Sequence, residues 1–378
     1  MWLDNPRNPK APLAGLKVLE LARVLAGPWV GQTLGDLGAD VIKVESPEGD
    51  GTRQWGPPWV EHDGERAAAY YHACNRGKRS VVADFRDAGD LARVQQLASE
   101  ADVVVENFKT GTLAKFGLDY DSLSRSNPGL VYCSVTGFGQ TGPRAHEAGY
   151  DFVVQAMSGF MALTGEPDGQ PMKMGISISD LTCGLYSVIG IQAALAMRER
   201  TGRGQHVDMA LLDCSVGLLA SQATHFLTTG ENPPRMGNEH AQVSAYGVFP
   251  VADGDVVLAP ANDGLFRKLL TLLGRDDLLT DERFTTNESR LANRAELDAI
   301  IAAETRKWQM DELLADCAED GIPAGPINAI DAVFADPQVK ARGMRVDLDG
   351  IPGVRSPFTF SDAELALDRP SPRKGAHG

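Results

Sequence analysis

Residues 16–139 alternate between strand-like and helix-like segments, and this alternation limits the folds that the chain can adopt. The segment "LKVLEL" is typical of a strand, "GPWVGQTLGDLG" of a helix that closes on glycine, and "ADVIKVE" of a second strand. The strand-like runs "RSVVADF", "DVVVENF" and "GLVYCSV" follow, with the helical "RDAGDLARVQQLASEA" between the first two. Repeated β-α-β units predict an α/β fold with a parallel, doubly wound sheet.

In such a sheet, ligands gather beyond the carboxyl ends of the strands. We therefore expect functional residues where the predicted strands end, namely at Glu20 to Arg23, Glu45, Asp84 to Arg86, Asn107 to Lys109 and Thr136 to Phe138.

A G-x-G-x-x-G pattern, formed by Gly137, Gly139 and Gly142, follows the last of these strands. In a dinucleotide site, these glycines would lead into a helix whose N-terminus holds a pyrophosphate. Here Pro143 and a polar loop follow, and the next helical pattern begins near Asp151. The pattern therefore argues against a nicotinamide or flavin enzyme and leaves the glycines for another role.

A chain of 378 residues exceeds the usual size of a single hydrophobic core. The proline-rich, polar stretch "ENPPRMGNEHAQVSAYGVF" suggests a linker, and short strands and helices follow it. We predict a large Rossmann-like domain over residues 1–225, completed by residues 330–378, and a smaller α+β domain over residues 226–329.

The composition argues against several classes of protein. A formal net charge of −15 disfavours nucleic acid and anionic membranes as partners. The five cysteines are scattered and the seven histidines lack metal-ligand spacing, so we expect neither disulfides nor a metal site. The longest apolar run, Leu185 to Met197, is too short to cross a bilayer and predicts a buried helix. No signal-peptide pattern opens the chain, and we expect a cytoplasmic protein.

One local cluster of cations, Arg76, Lys78 and Arg79 in "NRGKRS", stands out in this acidic chain. Such a cluster is typical of a solvated loop, or of a site that holds one polyanionic cofactor. The sequence alone leaves both interpretations open.

Asp180 is the candidate for covalent chemistry. It lies between the β-prone run "ISIS" and a long apolar helix, which is the position of an N-cap residue. The first helical N–H groups would bind its carboxylate, and together with the helix dipole they would keep it ionised. An ionised carboxylate at the edge of a sheet can attack an activated acyl group. Position alone does not separate the capping role from the nucleophilic one.

Many motifs follow one another in a fixed order, including "LAGLKVLELARVLAGPWVGQTLGDLGADVIKVE", "GDGTRQWGPPW", "VVENFKTGTLAKFGLDYDSL", "VYCSVTGFGQTGP", "SISDLTCGLY", "RTGRGQHVDMALLD" and "GIPAGPINAIDAVFADPQV". Over nearly its whole length the chain thereby resembles the class III CoA-transferases. The stretches "RVLAGP", "WGPPW" and "GFGQTGP" are most similar to the succinyl-CoA–glutarate branch. The resemblance implies an interlocked homodimer with coenzyme A or acyl-CoA as substrate and no prosthetic group.

By this resemblance Asp180 matches the family's nucleophile. The implied reaction passes through a mixed aspartyl anhydride and then an aspartyl-CoA thioester, and the acceptor acid reverses both steps. Water must be excluded because it would hydrolyse the anhydride, and the loop "GFGQTG" is implied to line the pocket. We expect a dicarboxylate acceptor, with Arg53 and Arg144 among the cations that could hold its second carboxylate.

The resemblance also assigns contacts with CoA. They fall on Val24 and Leu25, on the stretch from Ala83 to Arg86, on Asn107, Phe108 and Lys109, and on Lys115. Thr136 and Phe138 stand where formyl-CoA transferase has a lysine and a tyrosine in its pocket loop, which implies a less polar pocket here.

Tyr150 belongs to the implied substrate pocket and stands where racemases of the family carry an acid/base histidine. A phenol with a pKa of about 10 is a poor proton shuttle at neutral pH, which disfavours an α-methylacyl-CoA racemase or epimerase. A third alternative is a non-catalytic CoA-binding protein in which Asp180 is only a cap.

Overall fold

The computed structural model describes residues 2–378. In chain order its strands are β1 (Lys17–Glu20), β2 (Asp40–Glu45), β3 (Trp59–His62), β4 (Glu65–Ala68), β5 (Lys78–Val82), β6 (Val103–Glu106), β7 (Val131–Thr136), β8 (His206–Ala210), β9 (Gly247–Val251), β10 (Gly254–Leu258), β11 (Ala324–Pro326), β12 (Arg345–Leu348) and β13 (Ile351–Val354). Its α-helices are α1 (Ala26–Asp36), α2 (Ala69–Ala73), α3 (Ala88–Glu100), α4 (Tyr120–Ser126), α5 (Asp151–Met157), α6 (Phe160–Leu163), α7 (Ile178–Thr201), α8 (Leu211–Gly217), α9 (Ala220–Thr229), α10 (Asp263–Leu272), α11 (Asn287–Ala292), α12 (Arg294–Thr305), α13 (Met310–Asp320), α14 (Ile330–Ala335) and α15 (Pro337–Ala341). Short 3-10 helices span Gly51–Gln54, Leu113–Phe116 and Asp276–Leu279.

The first of two compact units contains residues up to 161, 173–232 and 337–378, and it is built on six parallel strands. Their order is β5-β2-β1-β6-β7-β8, so the direction of winding reverses between β1 and β6. This order confirms the predicted α/β fold with a parallel, doubly wound sheet. In such sheets the ligand crevice lies at the reversal, beyond the carboxyl ends of the strands.

Helices cover both faces of this sheet. On one face, Val30 and Leu34 of α1 and Ile191 of α7 pack against the strands, and on the other face Val94 and Leu97 of α3 do so. Strands that are buried on both faces are apolar along their whole length, which explains the run of three valines in β6. Because the sheet is packed on both faces, the residues at the ends of its strands are held in fixed positions.

Helix α7 differs from its prediction. The apolar run Leu185 to Met197 is part of a 24-residue helix, which by length and composition alone is long enough to cross a membrane. The helix is also only partly buried. Val188 and Ile191 pack in the core, whereas Leu185 and Ile189 are 43% and 62% exposed. The prediction of a buried helix therefore holds for one face only, and the prediction that the apolar run is too short to cross a bilayer does not extend to the whole helix.

The cations of "NRGKRS" form neither a solvated loop nor a site for a polyanion. All three are buried, and each pairs with a buried carboxylate. The pairs are Arg76 with Asp36 at 2.6 Å, Lys78 with Glu20 at 2.8 Å, and Arg79 with Asp40 at 2.5 Å. Both interpretations of the cluster were wrong, because its side chains point into the protein, where a charge must be paired.

The second unit contains residues 162–172 and 233–336. Its strands form an antiparallel sheet in the order β11-β10-β9, and α10, α12 and α13 pack around the same core. These boundaries differ from the predicted ones, which place residues 162–172 in the large domain and the small domain over residues 226–329.

Candidate active site

A cavity of about 150 Å³, here called the Asp180 cavity, lies at the reversal of the sheet, beyond the ends of β1, β6 and β7. The loop after each of these strands contributes to its wall, as does the first turn of α7. Eight of the predicted site residues line it: Val24, Leu25, Asn107, Phe108, Lys109, Thr136, Tyr150 and Asp180.

A second cavity, of about 350 Å³, lies beyond the ends of β2 and β5 and is here called the Arg86 cavity. The predicted residues Ala83 and Arg86 line it. Arg23 and Phe108 line both cavities, and the Arg23 guanidinium lies 5.5 Å from the centroid of the Phe108 ring. The two cavities therefore share one wall.

Two predicted residues line neither cavity. Lys115 is exposed on the 3-10 helix Leu113–Phe116. Phe138 lies within the glycine-rich loop, with the Arg144 guanidinium 6.0 Å from its ring centroid.

Asp180 lies in the first turn of α7 and is not its N-cap. The helix begins after Ser177, whose side chain makes no capping hydrogen bond. Asp151, the first residue of α5, takes this role from outside the helix. Its Oδ1 accepts hydrogen bonds from the backbone N–H groups of Ser179 at 2.9 Å and Asp180 at 3.4 Å. The predicted N-cap position was wrong, because the β-prone "ISIS" run enters the helix and another acid occupies its end.

The electrostatics of Asp180 also differ from the prediction. Burial and the charge of Asp151 raise the pKa of Asp180 from its ordinary value of 3.8 to about 7. The helix amides that were expected to keep Asp180 ionised donate to Asp151 instead. Within residues 2–378, no group donates a hydrogen bond to the Asp180 carboxylate, which lines the cavity. A carboxylate with a perturbed pKa and no partner in a cleft is typical of a functional site.

The loop after β1 is fixed from two sides. Val24 has a left-handed backbone with φ of 72°, which is unfavourable for a β-branched residue. Its N–H donates to Asp50 at 3.3 Å, and Asp50 pairs with the buried Lys43 at 3.0 Å. The Asn107 side chain accepts from the Arg23 N–H at 2.9 Å and donates to the Arg23 carbonyl at 2.6 Å. Asn107, predicted as a CoA contact, therefore uses its amide to hold this loop.

The glycine pattern belongs to a tightly closed loop. A Cβ on Gly137 would lie 2.5 Å from the Cα of Gly149, and one on Gly149 would lie 2.6 Å from the Cα of Gly137. Gly139 and Gly142 have φ of 85° and 89°, which glycine adopts without strain. The prediction that these glycines do not open a helix is confirmed, since the next helix begins at Asp151. Gly137 and Gly149 both line the Asp180 cavity.

The cations near the two cavities fall into two groups. Arg23, Lys109 and Lys115 are exposed and form no ion pair with another residue in the range 2–378. In contrast, the guanidinium of Arg86 contacts the carboxylate of Asp84 at 2.9 Å. The first group is therefore available to an anionic ligand, whereas Arg86 already has a partner.

The two arginines suggested for the acceptor acid lie in different surroundings. Arg53 is buried and pairs with Glu45 at 2.8 Å, so it is not available to a substrate. Arg144 is half exposed and pairs with Glu147 at 2.8 Å, and Glu147 lines the Asp180 cavity.

Sequence reasoning missed two residues of this site, Arg23 and Asp151. Arg23 ends a stretch that the sequence marked as a strand end, but the resemblance assigned contacts only to the two residues after it. Asp151 was visible only as the acid at the start of a predicted helix, and nothing in the sequence connects it with α7.

Comparison with known proteins identifies the family. The sequence model of CoA-transferase family III matches residues 13–378. The succinate–glutarate CoA-transferase of Agrobacterium fabrum is 57% identical over 382 residues, which cover 99% of this chain and 95% of that protein. The succinyl-CoA:glutarate CoA-transferase of Mus musculus is 37% identical over 388 residues, which cover 100% of this chain and 88% of that protein.

A crystal structure of a CAIB/BAIF family protein from Brucella suis is 60% identical, has a TM-score of 0.91, and covers 98% of both chains. Sequence and fold therefore agree with the resemblance carried by the motifs. The chain belongs to CoA-transferase family III and is an enzyme that transfers CoA between an acyl-CoA and a carboxylic acid.

Proposed function

We propose that Asp180 carries the transferred groups covalently. An Asp180 oxygen attacks the carbonyl carbon of the donor thioester, a C–O bond forms, and the C–S bond breaks with its electron pair on the CoA thiolate. The thiolate then attacks Asp180 Cγ, which forms an aspartyl-CoA thioester and releases the donor acid as its carboxylate. The acceptor carboxylate attacks this thioester, and the two steps run in reverse to release the new acyl-CoA. No net proton is consumed.

One observation carries this proposal: a carboxylate with no hydrogen-bond donor lines a cavity at the reversal of the sheet. With a pKa of about 7, Asp180 is ionised in a large fraction of molecules at neutral pH. When ionised it is a stronger base, and hence a better nucleophile, than an ordinary aspartate. The partly enclosed site also limits the access of water to the anhydride.

The two cavities suggest how CoA binds. We place the thioester in the Asp180 cavity and the nucleotide end in the Arg86 cavity, with the connecting arm along the wall that Arg23 and Phe108 share. The unpaired Arg23, Lys109 and Lys115 are the cations proposed to bind the phosphates.

The names of two relatives support a dicarboxylate acceptor, since the Agrobacterium and mouse proteins are named for glutarate together with succinate or succinyl-CoA. We propose the same class of acid here. Arg144 is proposed to hold the second carboxylate, because it lies on the glycine-rich loop and its partner Glu147 lines the cavity.

We also propose a homodimer. Large apolar side chains are exposed on the first unit, and such patches mark interaction surfaces; they include Phe152, Val153, Leu185, Ile189, Phe226 and Leu227. Sedimentation should show a dimer at micromolar concentration, and a monomer at every concentration would contradict it. The proposed enzyme is cytoplasmic, uses no prosthetic group, and binds neither nucleic acid nor membrane, in keeping with its net charge of −15.

The covalent mechanism is tested by trapping. The protein is incubated with succinyl-CoA and then with hydroxylamine or borohydride, and its peptides are analysed by mass spectrometry. We expect the adduct on Asp180 and none in Asp180→Asn. Turnover with an unmodified Asp180 would contradict the mechanism.

The same reactions, run with a panel of carboxylic acids, identify the acceptor. A clear preference for dicarboxylates over monocarboxylates of equal length would support the proposal. Deuterium exchange at the α-carbon of a branched acyl-CoA, without CoA transfer, would indicate a racemase instead.

A further inference from the structure

We propose that Asp151 is a positioning residue for Asp180: from outside α7 it occupies the amides of the helix N-terminus and sets a second negative charge beside the nucleophile. The inference rests on the proposed role of Asp180. Asp151 does not line the Asp180 cavity, so it acts through Asp180 and not on the substrate.

Both oxygens of Asp151 are held in place. Oδ1 accepts the backbone N–H groups of Ser179 and Asp180, and Oδ2 accepts the side-chain amide of Gln155 at 2.7 Å. Gln155 is buried, and its own carbonyl oxygen accepts the backbone N–H of Met174 at 2.9 Å. The carboxylate of Asp151 is therefore fixed towards the first turn of α7.

The first turn of α7 is anchored as well. The hydroxyl of Ser215 on α8 donates to the hydroxyl of Ser179 at 2.9 Å, and both side chains are buried. Asp180 follows Ser179 directly, so its backbone has little freedom to move away from Asp151. The proximity of the two acids is thus a property of the packed helices and not of a mobile loop.

This arrangement reverses the usual effect of a helix N-terminus. The free amides of a first turn normally stabilise an anionic side chain. Here Asp151 takes the amides, and its own charge disfavours a second anion nearby. Asp180 therefore becomes a stronger base, which favours its attack on a thioester carbonyl.

Other titratable groups around Asp180 do not supply this effect. Burial raises the pKa of Tyr70 on α2 to about 12, and a hydrogen bond with Cys214 together with burial raises that of Cys183 on α7, so both stay neutral. Among residues 2–378, Asp151 is the charge that shifts the pKa of Asp180. The remaining charged or titratable residues of the cavity and of α8 are Arg23, Lys109, Glu147, Tyr150, Asp213 and Cys214, and the hydrogen bond with Cys183 lowers the pKa of Cys214.

The test uses Asp151→Asn, which removes the charge but keeps an oxygen that can accept the Ser179 N–H. Aspartate Cγ is labelled with ¹³C in the substrate-free protein, and the Asp180 resonance is assigned by its loss in Asp180→Asn. We expect the titration midpoint of Asp180 to fall by roughly one pH unit. The acid limb of kcat/KM should follow it, and the plateau kcat should fall several-fold because a weaker base is a weaker nucleophile.

Two further variants serve as an alternative and as a control for this test. Asp151→Ser also removes the charge and keeps an oxygen, and it should move the midpoint in the same direction if Asp151→Asn fails to fold. Asp213→Asn removes an acid from the first turn of α8 and should leave the midpoint unchanged. Because burial also raises the pKa of Glu106 to about 7, the assigned resonance, and not the rate profile alone, decides the result.

An Asp180 midpoint that does not move in the Asp151 variants would overturn the inference, even if trapping succeeds at Asp180. An unmodified Asp180 in the trapping experiment would overturn the proposed function, while a lowered midpoint would still support the coupling of the two acids. The titration needs no substrate, so the two failures are distinguishable.

Discussion

Two regions of the first unit contain buried carboxylates, and they differ in whether those carboxylates have a cationic partner. Near the ends of β1 and β2, the ammonium of Lys43 contacts both Glu20 and Asp50 at 3.0 Å. At the start of α7, Asp151 and Asp180 lie side by side, and neither forms an ion pair with another residue in the range 2–378. In the first region each buried charge has a partner of opposite sign, whereas in the second a carboxylate is left without one.

The titration of the two places differs accordingly. Although burial opposes the change, the charge of Lys43 lowers the pKa of Asp50. Burial and Asp151 instead raise the pKa of Asp180 to about 7. A carboxylate of the first kind stays ionised and holds its partner at neutral pH, whereas one of the second kind exchanges between its acid and ionised forms.

The largest expected effect is on catalysis. Asp180→Asn removes the proposed nucleophile and should lower kcat by roughly four orders of magnitude or more, as measured by mass spectrometry of the CoA products. Asp213→Asn, a matched acid in the first turn of α8, should keep a rate close to that of the unchanged protein. A rate for Asp180→Asn within tenfold of the control would mean that Asp180 belongs with the structural carboxylates.

The next largest effect is expected on the free energy of unfolding, when a buried, paired carboxylate is removed. Asp36→Asn leaves the buried Arg76 without its charged partner and should lower the free energy of unfolding by about 3–5 kcal/mol in urea titrations. As a control, Glu364→Gln breaks the exposed pair with Lys10 and should cost less than about 1 kcal/mol. Equal losses in the two variants would remove the distinction between buried pairing and surface pairing.

Stability should respond to pH at Asp180 in a definite direction. The pKa of Asp180 is raised in the folded state, so ionisation destabilises the fold as the pH rises from about 4 to above 7. Relative to the unchanged protein, Asp180→Asn should gain about 2–4 kcal/mol of stability between pH 4 and pH 8. Chemical denaturation at these two pH values measures the difference, and a constant difference would show that Asp180 titrates normally.

The smallest expected effect separates cations that are free from cations that are paired. Arg23→Met should raise KM for the acyl-CoA roughly tenfold with little change in kcat, because it removes the unpaired guanidinium that is proposed to bind phosphate. Arg86→Met should raise KM less than about threefold, since Arg86 already holds Asp84. The opposite order would assign the phosphates to Arg86.

The sequence predicts where the strands of the parallel sheet lie, but not which distant residues come into contact. Alternating segments fix β1, β2, β5, β6 and β7, but periodicity does not state that Arg76 will meet Asp36, 40 residues earlier. For the same reason, the sequence does not reveal that Asp151 accepts a hydrogen bond from the backbone of Ser179, 28 residues later. Such pairs depend on strand order and helix packing, which only the folded chain defines.

Within the site, the motifs single out Asp180 as the candidate residue but do not predict which groups surround it. A β-prone run before an acid predicted an N-cap at Asp180, whereas in the structure the helix begins three residues earlier than that predicts, at Ile178. Asn107 and Val24, both predicted as CoA contacts, line the cavity, but the amide of Asn107 forms hydrogen bonds with the backbone of Arg23. Motif position located these residues, and only hydrogen bonding reveals what each side chain does.

The contact between Gly137 and Gly149 forms a narrow neck at the base of the segment 138–148. Because a side chain at either glycine would separate the two backbones, both ends of this segment are held together. Its interior is anchored as well, since the backbone N–H of Gln140 donates to Asp208 of β8 at 2.9 Å and Ala145 is buried. A change from glycine to alanine at the neck would therefore displace the loop and the part of the cavity wall that it forms.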